Sequence, residues 1–289
     1  MTVVMRWRFV LWALLWALST FALLACGPSD ACECGPFDGG DAADVHNAQD
    51  VAQLDVYEEP APVCNVSGTA TNSQDAPWAL ARLEVCSTAL CTLGNAAADG
   101  TFSVGVPCNA QYHVLALPPL GDPHNTSDGI GVLGIVTADV TLPTPVRIPE
   151  TGAPVALTGG SQTVSVATSL ELTADPSDLT FDGPAELAGV SIDQTQWPPF
   201  AFPSDAGAPT VLAMWALLPF GTDAISNTIA ITVDNTPFAL ATNATVSFYQ
   251  VNETTAELMP DPSVGTVQAN GTITGGTVTR VTWIVMTSP

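Results

Sequence analysis

The chain has 289 residues and a formal charge of −23 at neutral pH, with five basic residues against 28 acidic ones. The five are Arg6, Arg8, Arg82, Arg147 and Arg280, so lysine is absent, and no basic patch can be assembled for nucleic acid or for electrostatic docking on anionic lipid. The missing lysine also excludes Schiff-base chemistry, P-loop phosphate binding and Ser-Lys dyads.

Residues 1–25 predict an export signal. Arg6 and Arg8 form a short basic start, Phe9–Ala22 is an uncharged apolar run, and Leu23-Leu24-Ala25-Cys26 follows. The run stops short of the roughly 20 apolar residues that a helix needs to cross the hydrocarbon, so removal is expected rather than a span. Leu-Leu-Ala-Cys resembles the lipobox of bacterial lipoproteins, and that resemblance implies cleavage before Cys26 and diacylglycerol on its thiol. Buried acyl chain contributes about 0.8 kcal/mol per methylene, so two or three chains, palmitate among them, hold a protein to a bilayer where one does not. The competing readings are an ordinary secretory signal with an incidental cysteine and an uncleaved anchor. On the lipobox reading the membrane is a partner through Cys26, in the cell envelope. Gly27 stands where some bacteria place an aspartate to retain lipoproteins at the inner membrane, so the outer membrane is expected.

Residues 26–63 predict a lipidated, disordered acidic stalk. From Gly27 to Val63 there are nine acidic residues and no basic one, and Asp38-Gly39-Gly40-Asp41-Ala42-Ala43-Asp44 lacks the apolar periodicity of a core. A flexible chain of this length reaches roughly 30–35 Å, and charge repulsion extends it. Its carboxylates miss the alternate-position spacing of an EF-hand.

Beyond the stalk the chain predicts an all-β fold: two antiparallel β-sandwich-like domains, residues 64–145 and 146–289, with almost no helix. Thr, Val, Ala, Gly and Pro dominate, the balance of short strands and turns. In the first domain, strands are expected at Val63–Ala70, Ala79–Val85, Thr101–Val106, Gln111–Leu117 and Ile130–Val136, with a turn at Asp99-Gly100. Val66–Ala70, Ala79–Val85, Ala98–Val104 and Tyr112–Ala116, in that order and spacing, resemble the carboxypeptidase regulatory-like, transthyretin-like sandwich of bacterial surface proteins. That resemblance implies a non-catalytic accessory used for stability, spacing or binding. The cysteines and the Gly121–Ser127 loop depart from the family's pattern.

Pro143-Thr144-Pro145 marks the expected boundary. After it, Gly159–Val166 alternates as a strand, and the Thr/Val/Ile pattern returns at Thr228–Val233, Ala244–Gln250 and Thr277–Val285. Trp215–Gly221, Ile229–Val233 and Val246–Tyr249 are similar to the β domain of zonula occludens proteins and netrin receptors, which implies interaction and assembly rather than catalysis.

Candidate chemistry is sparse. The histidines past the signal are His46, in the stalk, His113, within an apolar strand, and His124. With no Gly-x-Ser-x-Gly elbow and no His-Glu-x-x-His, no catalytic residue, metal site or cofactor is assigned. The loop Gly121-Asp122-Pro123-His124-Asn125-Thr126-Ser127-Asp128 reads as an exposed turn with metal-capable side chains, set against a polar loop that satisfies its own backbone. Asp175-Pro176-Ser177-Asp178 reads as a turn. The tryptophans Trp78, Trp197, Trp215 and Trp283 are scattered in sequence, without the aromatic clustering of a glycan cleft. Trp197-Pro198-Pro199-Phe200 is the candidate partner-binding patch, for a protein or a sugar; its other reading is core or loop packing.

Besides Cys26 there are Cys32, Cys34, Cys64, Cys86, Cys91 and Cys108, and in an oxidising compartment disulfides are the default. Six cysteines allow fifteen pairings. Cys64, Cys86, Cys91 and Cys108 fall within the first domain and are its disulfide candidates; Cys86, Cys91, Cys108 and His113 as a zinc site would lack paired Cys-x-x-Cys spacing. Asn-x-Ser/Thr sequons begin at Asn65, Asn125, Asn243, Asn252 and Asn270, and beside a lipobox they read as chance in a Thr-rich chain. The expected function is a non-enzymatic envelope lipoprotein whose β modules serve surface interaction or spacing, with a glycan-acting envelope enzyme or a purely structural spacer as alternatives.

Overall fold

A computed structural model describes residues 61–122, 125–225, 228–259 and 263–288. The readings at the signal, at Cys26, Cys32 and Cys34, along most of the stalk and at His124 lie outside the described residues. Among the described residues the chain is all-β, and its helical pieces are short 3-10 turns such as Pro176–Asp178 and Gln194–Gln196.

The first half is built from β1 (Val63–Thr71), β2 (Arg82–Cys86), β3 (Cys91–Asn95), β4 (Thr101–Pro107), β5 (Ala110–Leu117), β6 (Gly129–Val136), β7 (Val140–Thr141) and β8 (Val146–Arg147). One sheet runs β4-β1-β7, with β8 also on β1; the other runs β3-β2-β5-β6. Alternation drives the pairing of the two layers. Phe102, Val104 and Val106 of β4 point inward while Thr101, Ser103 and Gly105 face out, and they meet Leu83, Val85, Val114 and Ala116 of the other sheet. The major ladders are antiparallel, but β7 and β8 join β1 in parallel. Val146 and Ile148 both sit in this core, so it continues past Pro145.

Gly129 opens β6 where the backbone passes the chain at β8. A Cβ there would lie 2.3 Å from the Arg147 carbonyl oxygen, a contact with backbone that no rotamer relieves. Gly129→Ala is therefore expected to lower stability by about 1–3 kcal/mol, the usual cost of overpacking. Thermal unfolding of the variant checks this, and an unchanged midpoint would mean that β6 and β8 are not so closely apposed.

The second half comprises β9 (Val155–Ala156), β10 (Gln162–Ala167), β11 (Leu170–Ala174), β12 (Glu186–Ser191), β13 (Thr210–Leu218), β14 (Thr222–Asp223), β15 (Ile229–Asp234), β16 (Thr245–Gln250), β17 (Ser263–Val267), β18 (Thr272–Val278), β19 (Arg280–Val281) and β20 (Ile284–Ser288). Ten of these form one sheet, in the order β10-β11-β15-β18-β17-β16-β20-β13-β12-β9, and β14 pairs with β19. The sheet bends until its two ends meet. Ser191 Oγ at the end of β12 and Trp215 Nε1 in β13 both donate to the Thr168 carbonyl in the β10–β11 turn, at 3.1 and 3.2 Å. Inside lie Leu172, Ile231, Ile273, Phe248, Ile284 and Trp215.

The expected single strand over Thr277–Val285 is parts of three elements, the end of β18, the short β19 and the start of β20, with a corner between β18 and β20. Gln250 Oε1 accepts the backbone N–H groups of Thr279 and Arg280, so the chain leaves β18 and turns to begin β20 between β13 and β16. Similarly, β2 begins at Arg82 rather than Ala79, because Leu80 adopts a left-handed conformation (φ 59°) in the turn before it.

A third cluster fills the seam between the halves. Strand β5 is buried on both faces: Val114 and Ala116 enter the first core, while Leu115 turns outward with Ile130 of β6. They pack with Met214, Ala216, Tyr249, Val251, Trp283 and Val285 on the outer face of the ten-stranded sheet. Trp283 Nε1 donates to the Asp128 carbonyl at 2.9 Å across this seam, and Gln196 Nε2 donates to the Ser73 carbonyl at 3.1 Å. The described residues of both halves belong to one compact unit.

Candidate functional site

The segment after β12 is positioned by local chemistry. Asp193 Oδ1 accepts from Thr195 N and Oγ1, starting the 3-10 turn Gln194–Gln196, and Pro198-Pro199 prevents that turn from continuing. Trp197 follows at the turn's end, and its ring N–H donates to the Ile192 carbonyl at 2.9 Å. That bond fixes the indole against the end of β12.

Trp197 thereby walls an open groove of about 300 Å³. Trp215, Leu212, Ile192 and Met214 supply further apolar lining, Pro237 and Phe238 approach from the β15–β16 connection, and Thr168, Ser169, Ser191 and Gln194 are the polar groups. Trp197 and Trp215 are scattered in sequence but share this wall, because the closure of the ten-stranded sheet brings the β10–β11 turn against β12 and β13. No spacing rule would have shown it. Trp197, held by its backbone hydrogen bond, presents a rigid apolar face, with the buried Trp215 packed beneath it, and the hydroxyl and amide groups beside it offer directional contacts.

The rest of the candidate patch divides by environment. Phe200 stands edge-on to Trp283, with ring centroids 5.9 Å apart, and Phe202 edge-on to Tyr249 at 5.3 Å. Both rings pack against the seam cluster. Pro198 is half-buried and Pro199 is exposed. Trp197 is the member of the segment that reaches the groove.

The titratable groups are gathered elsewhere. Arg280 is clamped by two acids: its Nε and Nη2 donate to Asp223, the latter at 2.8 Å, and its Nη1 donates to Glu253 Oε1 at 2.7 Å. This holds the Asp223 carboxyl below its usual range. Asp99, Asp175, Asp193 and Asp234 each accept from a Ser or Thr two residues on, and those hydrogen bonds lower their pKa values. Asp175-Pro176-Ser177-Asp178 is accordingly a capped turn.

The loop before β6 is not an exposed turn throughout. Thr126 and Ser127 are buried, and Asp128 sits at the seam below Trp283. Burial pushes the Asp128 carboxyl up to about 7; Glu84 and Glu253 add to the rise and Arg82 opposes it. The largest effect is desolvation, which disfavours the ionised form in the seam. His113, on the outward face of β5, is buried at 2% exposure, and its pKa is lowered by desolvation against an opposing hydrogen bond to the Glu253 backbone. Among the described residues no three or more His, Cys, Asp or Glu side chains are grouped to hold a metal ion.

The four cysteines of the first half form two bridges, Cys64–Cys108 and Cys86–Cys91. Cys64–Cys108 ties β1 to the turn after β4, and Cys86–Cys91 closes the β2–β3 hairpin, in which the two residues are direct cross-strand partners.

No family model matches the chain, and no curated protein matches it. Among solved structures, a Bacteroides uniformis protein described as a candidate carbohydrate binder is similar at 6% identity, covering 78% of this chain and 79% of its own, with a TM-score of 0.23. The major pilin subunit of Bacillus cereus, BcpA, is similar at 10% identity over 79% of this chain and 96% of its own, also with a TM-score of 0.23. At that degree of superposition neither likeness bears on function.

Proposed function

We propose that this chain is a non-enzymatic lipoprotein of the cell envelope, anchored in the outer membrane through Cys26, whose β modules serve surface interaction, and that the groove beside Trp197 receives a protein or polysaccharide partner. The observation that carries the reading is the groove itself, walled by Trp197 with Leu212, Pro237 and Phe238, and with hydroxyl and amide groups as its polar lining. No acid lines it, so the facing carboxylate pair of a glycoside hydrolase has no counterpart there. Asp128, whose raised pKa would suit a general acid, is not among the groove's residues.

The test has two arms. Cys26→Ser keeps the side chain's size but removes the thiol that takes the diacylglycerol, and the protein is expected to move from the membrane to the soluble fraction and to lose palmitate labelling. Unchanged fractionation sinks the anchor. In the second arm, envelope polysaccharide is captured on full-length protein and on Trp197→Ala, with a loss of at least about tenfold in affinity expected, equivalent to about 1.4 kcal/mol. If neither polysaccharide nor protein from envelope extracts binds the wild type, the spacer reading replaces this one.

A further inference from the structure

Strand β3 is the outer edge of the sheet β3-β2-β5-β6, and its ladder to β2 fixes which way each backbone group faces. Just beyond the two ends of that ladder, Ser87 N donates to the Leu90 carbonyl and Ala96 N to the Ala81 carbonyl, each at 2.8 Å. Bonded and non-bonded pairs alternate along an antiparallel ladder, so Thr92 and Gly94 exchange bonds with Val85 and Leu83. Cys91, Leu93 and Asn95 then turn their N–H and C=O groups away from β2. Among the described residues no strand takes these groups up. By contrast, the ten-stranded sheet closes its ends on each other, and β6 passes tightly against the chain at β8.

Edge strands usually carry a charge, a proline or a bulge that keeps a second strand away. Strand β3 has none of these: its register with β2 is unbroken, and Ser87 to Ala98 contains no Asp, Glu, Lys, Arg, His or Pro. The edge is apolar instead, with Leu93 73% exposed and Leu90, in the turn before it, 51% exposed.

Charge selects the occupant. A foreign partner drawn to a chain of charge −23 would be basic, and this edge offers it no acid. A second copy is repelled by an acidic surface, and here two copies meet without like charges face to face. The nearest acid across the ladder is Glu84, opposite Leu93 on β2. In a sheet joined at β3 the two Glu84 residues stand three strand spacings apart, roughly 14 Å, beyond the screening length of about 8 Å at physiological ionic strength.

We propose that β3 pairs with β3 of a second copy, antiparallel about a two-fold axis at Leu93, joining the two four-stranded sheets into one. Leu93 exchanges both of its bonds with the copy's Leu93, Cys91 with the copy's Asn95, and Asn95 with the copy's Cys91, so every outward group of the three residues finds a partner. The same operation sets the two exposed Leu93 side chains beside each other on one face of the sheet. A single strand pair buries less than the roughly 1,200 Å² of stable dimers, so the association is weak and reversible. It uses none of the residues of the Trp197 groove.

The test is sedimentation equilibrium of the full chain in density-matched detergent, from about 10 µM to about 1 mM, with amide exchange read residue by residue. The expected result is a reversible monomer–dimer equilibrium in which the amides of Cys91, Leu93 and Asn95 gain protection as the dimer fills, while those of Thr92 and Gly94 are protected throughout. Leu93→Lys, at an exposed position, sets two ammonium groups against each other at the axis and is expected to weaken dimerisation at least about tenfold with the thermal midpoint unchanged. Leu93→Ile keeps the apolar contact and the dimer, and Trp197→Ala dimerises like the wild type. Should Leu93→Lys unfold the chain, the exchange pattern of the wild type decides. A monomer across the whole range overturns the proposal. So does a dimer that a folded Leu93→Lys leaves intact, or a dimer without new protection at the three outward amides. Protection of those amides in the monomer also overturns it, since another segment of the same chain would then cover the edge.

Discussion

Replacing Cys64 and Cys108 together by Ala is expected to lower stability by about 4 kcal/mol, the chain-entropy value for the 44-residue separation the bridge closes. The same argument gives about 2 kcal/mol for Cys86–Cys91, whose partners are only 5 residues apart, so the long bridge dominates. Cys64 is also buried in the first core, and truncation there leaves space that the neighbouring Val66 and Val106 do not fill without movement. The seam decides how the loss is distributed. Leu115 and Ile130 of the first half are buried against Met214, Tyr249 and Trp283 of the second, so the halves are expected to unfold together at a lowered midpoint rather than in two separate steps. Denaturant unfolding followed by near-ultraviolet circular dichroism and by tryptophan emission checks this. Two well-separated transitions, with only the first moved by the substitution, would show that the seam contributes little. Four free thiols in the oxidised protein would remove the premise.

Stability is expected to fall as pH rises from about 4 to about 7, because of Asp128. Its carboxyl moves from 3.8 to about 7 on folding, so between those values the folded state holds a proton that the unfolded chain has released. The folded state therefore binds more protons through this window, and the sign of the linkage makes higher pH destabilising. A shift of about three units caps the effect at about 4 kcal/mol, at 1.36 kcal/mol per unit. The stabilisation is fully present below the unfolded value and is lost once the pH passes the folded one. His113 acts oppositely: its lowered pKa means that the unfolded chain takes up a proton first as the pH drops below 6.5, which favours unfolding on the acidic side. Asp128→Asn keeps the shape and removes the charge, and it is expected to flatten the decline between pH 4 and 7 and to raise stability at neutral pH. Retention of the full slope in Asp128→Asn would mean that Glu84, Glu253 or another group carries the linkage.

Much of the fold was legible because strands announce themselves by alternation. Thr101–Val106 reads apolar at every second residue, and its Phe102, Val104 and Val106 are the ones that enter the core. The disulfide candidates could be named but not paired, since pairing depends on which strands lie side by side. Strand β3 was missed because Cys91-Thr92-Leu93-Gly94-Asn95 is half exposed and too short to show a pattern; its place is set by the bridge and the ladder to β2. The Thr277–Val285 run is continuously β-prone, and propensity carries no information about the corner that Gln250, distant in sequence, imposes.

The candidate site divides in the same way. The sequence by itself determined the all-β class, the inward residues of most strands, the strongly acidic charge, and Trp197–Phe200 as a segment of interest, because composition and local periodicity reflect interactions within a few residues. Only the tertiary structure decided that Trp197 and Trp215 share a groove while Phe200 turns into the seam, and that Asp128 and His113 are buried where the two halves meet. The reason is physical: a side chain's desolvation and its distant neighbours depend on how sheets close and stack, and residues 47 apart, such as Thr168 and Trp215, come into hydrogen-bond contact only when the ten-stranded sheet brings its ends together.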